Sequence, residues 1–353
     1  MKHTVLITGA AGYVGAMLVE RLARREDVEK IIGLDKEPAP DLIVAHPKLI
    51  YVQANTIDSW EEKVRVYAPD IVIHTAWQIR ELYGNKKLEW QWNIEGSDRV
   101  FDFAFGEGAV HTLVHFSTVA SYGAFSTNTI EGRFTEDVPF RKSAYLYAEE
   151  KRTSEEHLQS KYEAAAQKGK QISVTVLRPA AITGPRGRFM RIRFGLQSAL
   201  SGQLRGSFVY SVVSRLTAVV PVTPKWCRQF IHEDDVTDLS EKVAFDGRLG
   251  YGIFNICPPG PVVLGADMAR AVGKRMVVLP PRLIGVVFFF LWHLTRGRIP
   301  TGRGAWKGYS YPIVVDGSKL TREYGYQYNY QSLDAFYSTK GRYESFVSHD
   351  NRR

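Results

Sequence analysis

Along the first half of the chain, short and nearly continuous apolar runs alternate with longer segments of mixed polarity. The runs fall at 5–8, 31–35, 49–53, 71–74, 113–116 and 172–177, each of strand length, and the stretches between them have helical character. Strands that are apolar on both faces and joined by helices belong to a parallel sheet covered on both sides. The pattern predicts a doubly wound α/β domain, in which ligands bind beyond the carboxyl ends of the strands. In the second half, runs at 230–231 and 253–256 are expected to return to the same sheet. The expected division is one domain over 1–178 and 226–257, a smaller and mainly C-terminal domain over 179–225 and 258–340, and a tail over 341–353. One run stands apart: residues 283–292 are continuously apolar but too few to cross a bilayer. They fit a buried or substrate-covering helix. Arg282, Arg296 and Arg298 beside them keep a peripheral membrane contact through 283–294 open as a second reading.

Composition narrows the class. The 353 residues are 44% hydrophobic and 24% charged, ordinary for a globular chain and wrong for disorder. The net charge of +9 is uneven: between 185 and 232 there is no Asp or Glu, while Arg186, Arg188, Arg191, Arg193, Arg205, Arg215, Lys225 and Arg228 all fall there. Such a block attracts an anionic substrate, an acidic membrane or nucleic acid, and with no nucleic-acid module beside it the last is not expected. Two cysteines, Cys227 and Cys257, argue against a disulfide-built fold and a cysteine-rich zinc site, so no metal is expected and a reducing cytoplasm fits. No charged-then-apolar leader precedes the first strand, consistent with that cytoplasmic expectation.

The candidate chemistry starts where the first strand runs into glycines at 9, 12 and 15. Gly9 permits the tight turn, Gly12 the close approach of a pyrophosphate, and Gly15 the packing of helix on strand, with phosphates at the helix N-terminus. Asp35 ends the second strand twenty positions after Gly15, where a carboxylate accepts from both ribose hydroxyls and repels a 2′-phosphate. NAD is therefore favoured over NADP, with Lys36 partly offsetting the repulsion. After the third strand, Asn55 could meet an adenine amine and Ile57 pack on its ring. After the fourth, Thr75 and Ala76 are small residues where the nicotinamide half would pass. Tyr147 and Lys151, four apart on one helical face, form a candidate acid/base, since an ammonium beside a phenol favours the phenolate. Tyr145 competes, but Glu149 at the same spacing would make it harder to ionise.

Taken together, Gly9/Gly12/Gly15, Asp35, Asn93 in Asn-Ile-Glu-Gly-Ser, Ser117-Thr118 before Tyr122-Gly123, and Tyr147-Ala-Glu-Glu-Lys151 resemble an extended short-chain dehydrogenase/reductase of the NAD-dependent epimerase/dehydratase group. Arg178-Pro179 with Ala181, the stretch from Arg228 to Asp235 and the stretch from Asp316 to Gly325 resemble its later motifs. The resemblance implies a Rossmann fold, a smaller substrate-binding domain and an NAD site to which Tyr13, Val14, Thr56 and Pro179 also contribute. It implies Tyr147 as proton donor and acceptor, Lys151 on the nicotinamide ribose, Thr118 on the substrate oxygen and Asn93 as their support. It further implies a homodimer through the helices bearing Asn93 and Tyr147. Val119 and Ala120 replace the Asp-Glu of the dehydratases and disfavour dehydration. Ala181 replaces an Asn that contacts a substrate diphosphate, while Arg228 stands where a phosphate-contacting arginine is expected. Three readings stay open: a nucleotide-sugar epimerase or related dehydrogenase, a 3-beta-hydroxysteroid dehydrogenase or flavonol-reductase-like enzyme on an apolar substrate, and a non-catalytic dinucleotide-binding sensor or scaffold.

Overall fold

A computed structural model describes residues 2–187, 219–271, 275–338 and 340–347. Seven strands form the central sheet: β1 (His3–Thr8), β2 (Val28–Asp35), β3 (Leu49–Gln53), β4 (Ile71–His74), β5 (Thr112–Phe116), β6 (Ser173–Pro179) and, far along the chain, Gly250–Ile256. With the last numbered β11, their order is β11-β6-β5-β4-β1-β2-β3, and every neighbouring pair is parallel. The continuous apolar runs are explained by two cores. Val5 and Ile7 face Met17, Leu22 and Leu239, whereas Leu6, Val72 and Leu113 face Val100, Phe101 and Leu158 on the other side. The first face is covered by the helices Tyr13–Ala23 and Glu233–Ala244, the second by Gly96–Gly106 and Leu146–Gln167.

Strand order reverses between β1 and β4, and at that point a crevice opens beyond the carboxyl ends of the strands. Three small sheets close the second half around it. The strand β7 (Ala181–Thr183) pairs in parallel with β10 (Phe230–His232), β8 (Val219–Val222) in parallel with β13 (Arg275–Val278), and β9 (Cys227–Arg228) antiparallel with β12 (Val263–Leu264). The expectation that 230–231 rejoins the central sheet is therefore corrected. Its partner is β7, and β11 takes the place beside β6. Three apolar residues are too few to specify which edge a strand joins; Phe230 is instead packed on Val263 and Ala335. Residues 341–347, expected as part of a tail, include Tyr343, which packs against the Tyr13–Ala23 and Glu233–Ala244 helices. Tyr343 is fully buried and its hydroxyl donates to the Met17 carbonyl at 3.1 Å.

Candidate active site

The turn after β1 is built on close backbone approach. Gly9 has φ +74°, and a Cβ there would lie 2.5 Å from the Ala76 nitrogen. A Cβ at Gly15 would lie 2.1 Å from the Gly9 carbonyl oxygen, so the first helix can seat on the turn only without a side chain there. Gly12 caps that helix, and Gly9, Gly12, Tyr13 and Val14 face a cavity of about 1110 Å³. Gly15 is packing rather than lining, as its close neighbours show. The glycines leave the helix N-terminus bare toward the cavity, the arrangement that a pyrophosphate requires.

Asp35 stands at the adjoining strand end. Its carboxylate accepts from the Ala11 and Glu37 amides at 3.0 Å each, and burial pushes its pKa up against those bonds. Lone pairs remain for ribose hydroxyls. Lys36 lies 3.8 Å above the Trp92 ring, so its ammonium is engaged beside the same cavity. Asn55 and Thr56 line the cavity, as do Thr75, Ala76 and Pro179. Ile57 does not. It packs beneath Gly96, and its carbonyl accepts from Arg99, because the turn after β3 points it toward the Gly96–Gly106 helix. The residues present fit a dinucleotide: bare amides for phosphate, a carboxylate for ribose, small residues between.

At the other end of the cavity the Leu146–Gln167 helix starts one residue before Tyr147, so the phenol projects from its first turn. Thr118 caps the short turn after β5, its hydroxyl accepting from the Ala120 amide at 3.1 Å, and Thr118 and Tyr147 line the same end of the cavity. The two hydroxyls expected to share a substrate atom thus belong to one cavity. The expected electrostatics differ. Burial pushes the Tyr147 phenol above its ordinary value, with Thr118 opposing. The Lys151 ammonium donates to the Phe116 carbonyl and lies 3.5 Å from the centre of the Trp77 ring. Burial drives Lys151 well below the usual lysine range, with Glu155 and Glu150 opposing. The reason given above for demoting Tyr145 also changes: Glu149 is taken by the Ser143 amide and Arg152, while the Tyr145 phenol is pushed up by burial and lowered by Arg228.

Asn93 lies one shell behind, in a wide helical turn (Gln91–Glu95) of the kind that often marks functional sites. It accepts from the Gln78 amide at 2.7 Å and donates to the Gln78 carbonyl at 3.0 Å and to Glu150 Oε2 at 2.6 Å. Glu150 is 1% exposed, its other oxygen is unpartnered, and burial pushes it up to about 7. Neither Glu150 nor Trp77 was singled out in the sequence. A tryptophan directly after the strand-four turn, and a second acid inside Tyr-x-x-x-Lys, are the signals that could have done so. Arg228 lines the cavity, is exposed, and makes no ion pair among the described residues. Arg186 donates to the Tyr13 carbonyl at 3.2 Å; the rest of the predicted basic block, from Arg188 to Arg215, lies outside the described residues. The far wall is aromatic: Trp226, Phe288, Trp292 and Tyr309.

The sequence pattern of one protein family matches residues 5–257, the span that holds the glycine cradle, Thr118 and Tyr147. The chain belongs to the NAD dependent epimerase/dehydratase family. Among similar proteins, an uncharacterized protein of Mycobacterium tuberculosis is 26% identical over 337 residues, 94% of this chain and 82% of that protein. The 3 beta-hydroxysteroid dehydrogenase/Delta 5→4-isomerase of the same species is 33% identical over 129 residues, 36% of this chain and 32% of that protein. Solved structures with this fold include dTDP-glucose 4,6-dehydratase from Bacillus anthracis in complex with NAD. It has a TM-score of 0.68 at 16% identity and covers 95% of this chain and 94% of its own. UDP-glucuronic acid 4-epimerase from Bacillus cereus, in complex with UDP-glucuronic acid and NAD, also has a TM-score of 0.68, at 17% identity over 95% of this chain and 98% of its own.

Proposed function

We propose that this family member is an NAD-dependent oxidoreductase acting at a secondary alcohol or ketone carbon of a substrate with a large apolar body. The observation that carries the reading is the Tyr147–Thr118 pair, set between the glycine cradle and a wall of Trp226, Phe288, Trp292 and Tyr309. Gly12, Asp35, Thr75 and Pro179 would hold NAD, which when bound supplies or takes the hydride at the substrate carbon. The protein's own part is the proton. Thr118 and Tyr147 grip the substrate oxygen, and Tyr147 gives it a proton or takes one as that carbon is reduced or oxidised. An unionised phenol suits the reductive direction, in which Tyr147 donates. Asn93 and Glu150 hold the helix turn and the Gln78 loop in register behind it.

Arg228 supports a second reading, in which the substrate is a nucleotide sugar, its guanidinium meets a diphosphate and the reaction is an epimerisation. The two separate cleanly in one experiment. The protein is mixed with NAD and either a panel of apolar secondary alcohols or a UDP-sugar, with NADH absorbance and sugar configuration both followed. Net NADH formation on the apolar panel supports the first reading. A changed UDP-sugar with no net NADH supports the second and overturns the first. A homodimer through the helical segments bearing Asn93 (Gln91–Glu95) and Tyr147 (Leu146–Gln167) belongs to either reading.

A further inference from the structure

The helix Pro281–Leu294 is apolar on nearly every side, with Arg282 in its first turn and His293 in its last. Ile284, Phe288 and Trp292, four residues apart, are buried, and Phe288 and Trp292 wall the cavity. The opposite stripe is open to solvent: Leu283, Val286, Val287, Phe290 and Leu294 are between 39% and 79% exposed, and Phe289 beside them is 59% exposed. The strand that leads into the helix, β13, adds exposed Met276, Val277 and Val278. A helix of this composition is ordinarily a core element or a membrane span. This one is neither. Fourteen residues extend about 21 Å, short of the ~30 Å hydrocarbon layer, and no helix among the described residues is long and apolar enough to cross a membrane.

The surrounding charge says what covers the stripe. From residue 268 to 315 the sequence contains eight Lys and Arg and no Asp or Glu. Arg282 sits in the first turn of the helix and Arg296, Arg298 and Arg303 follow its end, and none forms an ion pair among the described residues. A second copy of the chain would bring the same positive charge against this face. An anionic bilayer surface is complementary to it in both respects, apolar at the centre and negative at the rim.

We propose that the protein docks on an anionic membrane surface through this helix, which lies in the interface with the 283/286/290/294 stripe at the acyl boundary and the arginines among the headgroups. The inner face of the same helix walls the cavity, so docking holds that wall within one helix diameter, about 10 Å, of the lipid. A bilayer-dissolved alcohol or ketone is then the substrate class within reach. This last step rests on the apolar-substrate reading above; the docking itself does not.

The test is co-sedimentation of the full chain with vesicles of phosphatidylcholine alone, or of phosphatidylcholine with about one third phosphatidylglycerol. The wild type is expected to pellet with the anionic vesicles and to release as salt is raised. Replacing both exposed rings, Phe289→Ser with Phe290→Ser, is expected to lower partitioning about tenfold or more at an unchanged melting temperature. Arg296→Glu with Arg298→Glu should lower it about fivefold per charge on anionic vesicles only. A wild type that stays in the supernatant, or a serine variant that pellets as well as wild type, overturns the proposal. So does a serine variant that merely converts a wild-type dimer to monomers in sedimentation velocity, since the face would then belong to a second copy. Turnover plays no part in this readout, so docking and the proposed reaction fail independently.

Discussion

At the scale of single residues, the candidate site depends on a few side chains whose roles can be separated. Tyr147→Phe keeps the ring that fills the cavity wall and removes the proton. Turnover is expected to fall about 10²-fold to 10⁴-fold while NAD affinity, by calorimetry, stays near wild type; activity close to wild type would remove Tyr147 from the mechanism. Asp35→Asn tests cofactor choice, because it removes the negative charge that would meet a 2′-phosphate. NAD binding should weaken and the preference for NAD over NADP should shrink by about tenfold. Glu150 makes a prediction about pH. Burial raises its folded pKa to about 7, above the ordinary glutamate value of 4.5, so the folded state binds the extra proton between those values. Stability is therefore lost as pH rises through that window, at about 1.4 kcal/mol per pH unit for one group. Glu150→Gln should remove that slope and be more stable than wild type at pH 8, by about 1 to 3 kcal/mol, in urea titrations at pH 5 and pH 8. An unchanged difference between the two pH values would show that Glu150 is not the group that titrates.

At the scale of elements, the turn from β1 into the Tyr13–Ala23 helix was legible because its requirement is local. A Cβ at Gly15 has nowhere to go but into the Gly9 carbonyl, and that restriction is written as glycine in the sequence. Gly15→Ala is expected to cost about 1–3 kcal/mol in stability and to abolish NAD binding, since the helix N-terminus must move off the turn; retained NAD affinity in that variant would sever the turn from the cofactor site. The six early strands were equally legible, their apolar runs being the signature of burial on both faces. The strand Phe230–His232 was not. Its pairing with β7 is decided by contacts with residues 263 and 335, far along the chain, and three residues carry too little pattern to announce that partner. The Tyr147/Lys151 spacing predicted two side chains on one helical face, which they are. What else the ammonium touches depended on the rest of the chain, and the Trp77 ring and the Phe116 carbonyl both contact it.

At the scale of the whole molecule, the end of the described chain returns to its beginning. Tyr343 is buried against the first helix and also meets the Thr237 hydroxyl at 3.3 Å, so one ring ties the glycine-turn helix to the Glu233–Ala244 helix. Tyr343→Ala should cost about 3–5 kcal/mol in urea denaturation, and a loss below about 1 kcal/mol would show that residues 341–347 pack without holding those helices. The aromatic wall has the same long-range origin: Trp226, Phe288 and Tyr309 come together from three separate stretches.

What the sequence determined by itself is what short-range sterics and periodicity dictate: the parallel sheet, the glycine turn, the acid at the end of β2, and the order of Tyr and Lys on a helix. The tertiary structure alone decided which groups share a dielectric and which share a wall. It buried Glu150 beside Asn93, turned Lys151 under Trp77, and set one face of the 281–294 helix on the cavity while leaving the other bare. Those outcomes depend on contacts between residues distant in the chain, and neither local periodicity nor motif spacing encodes them.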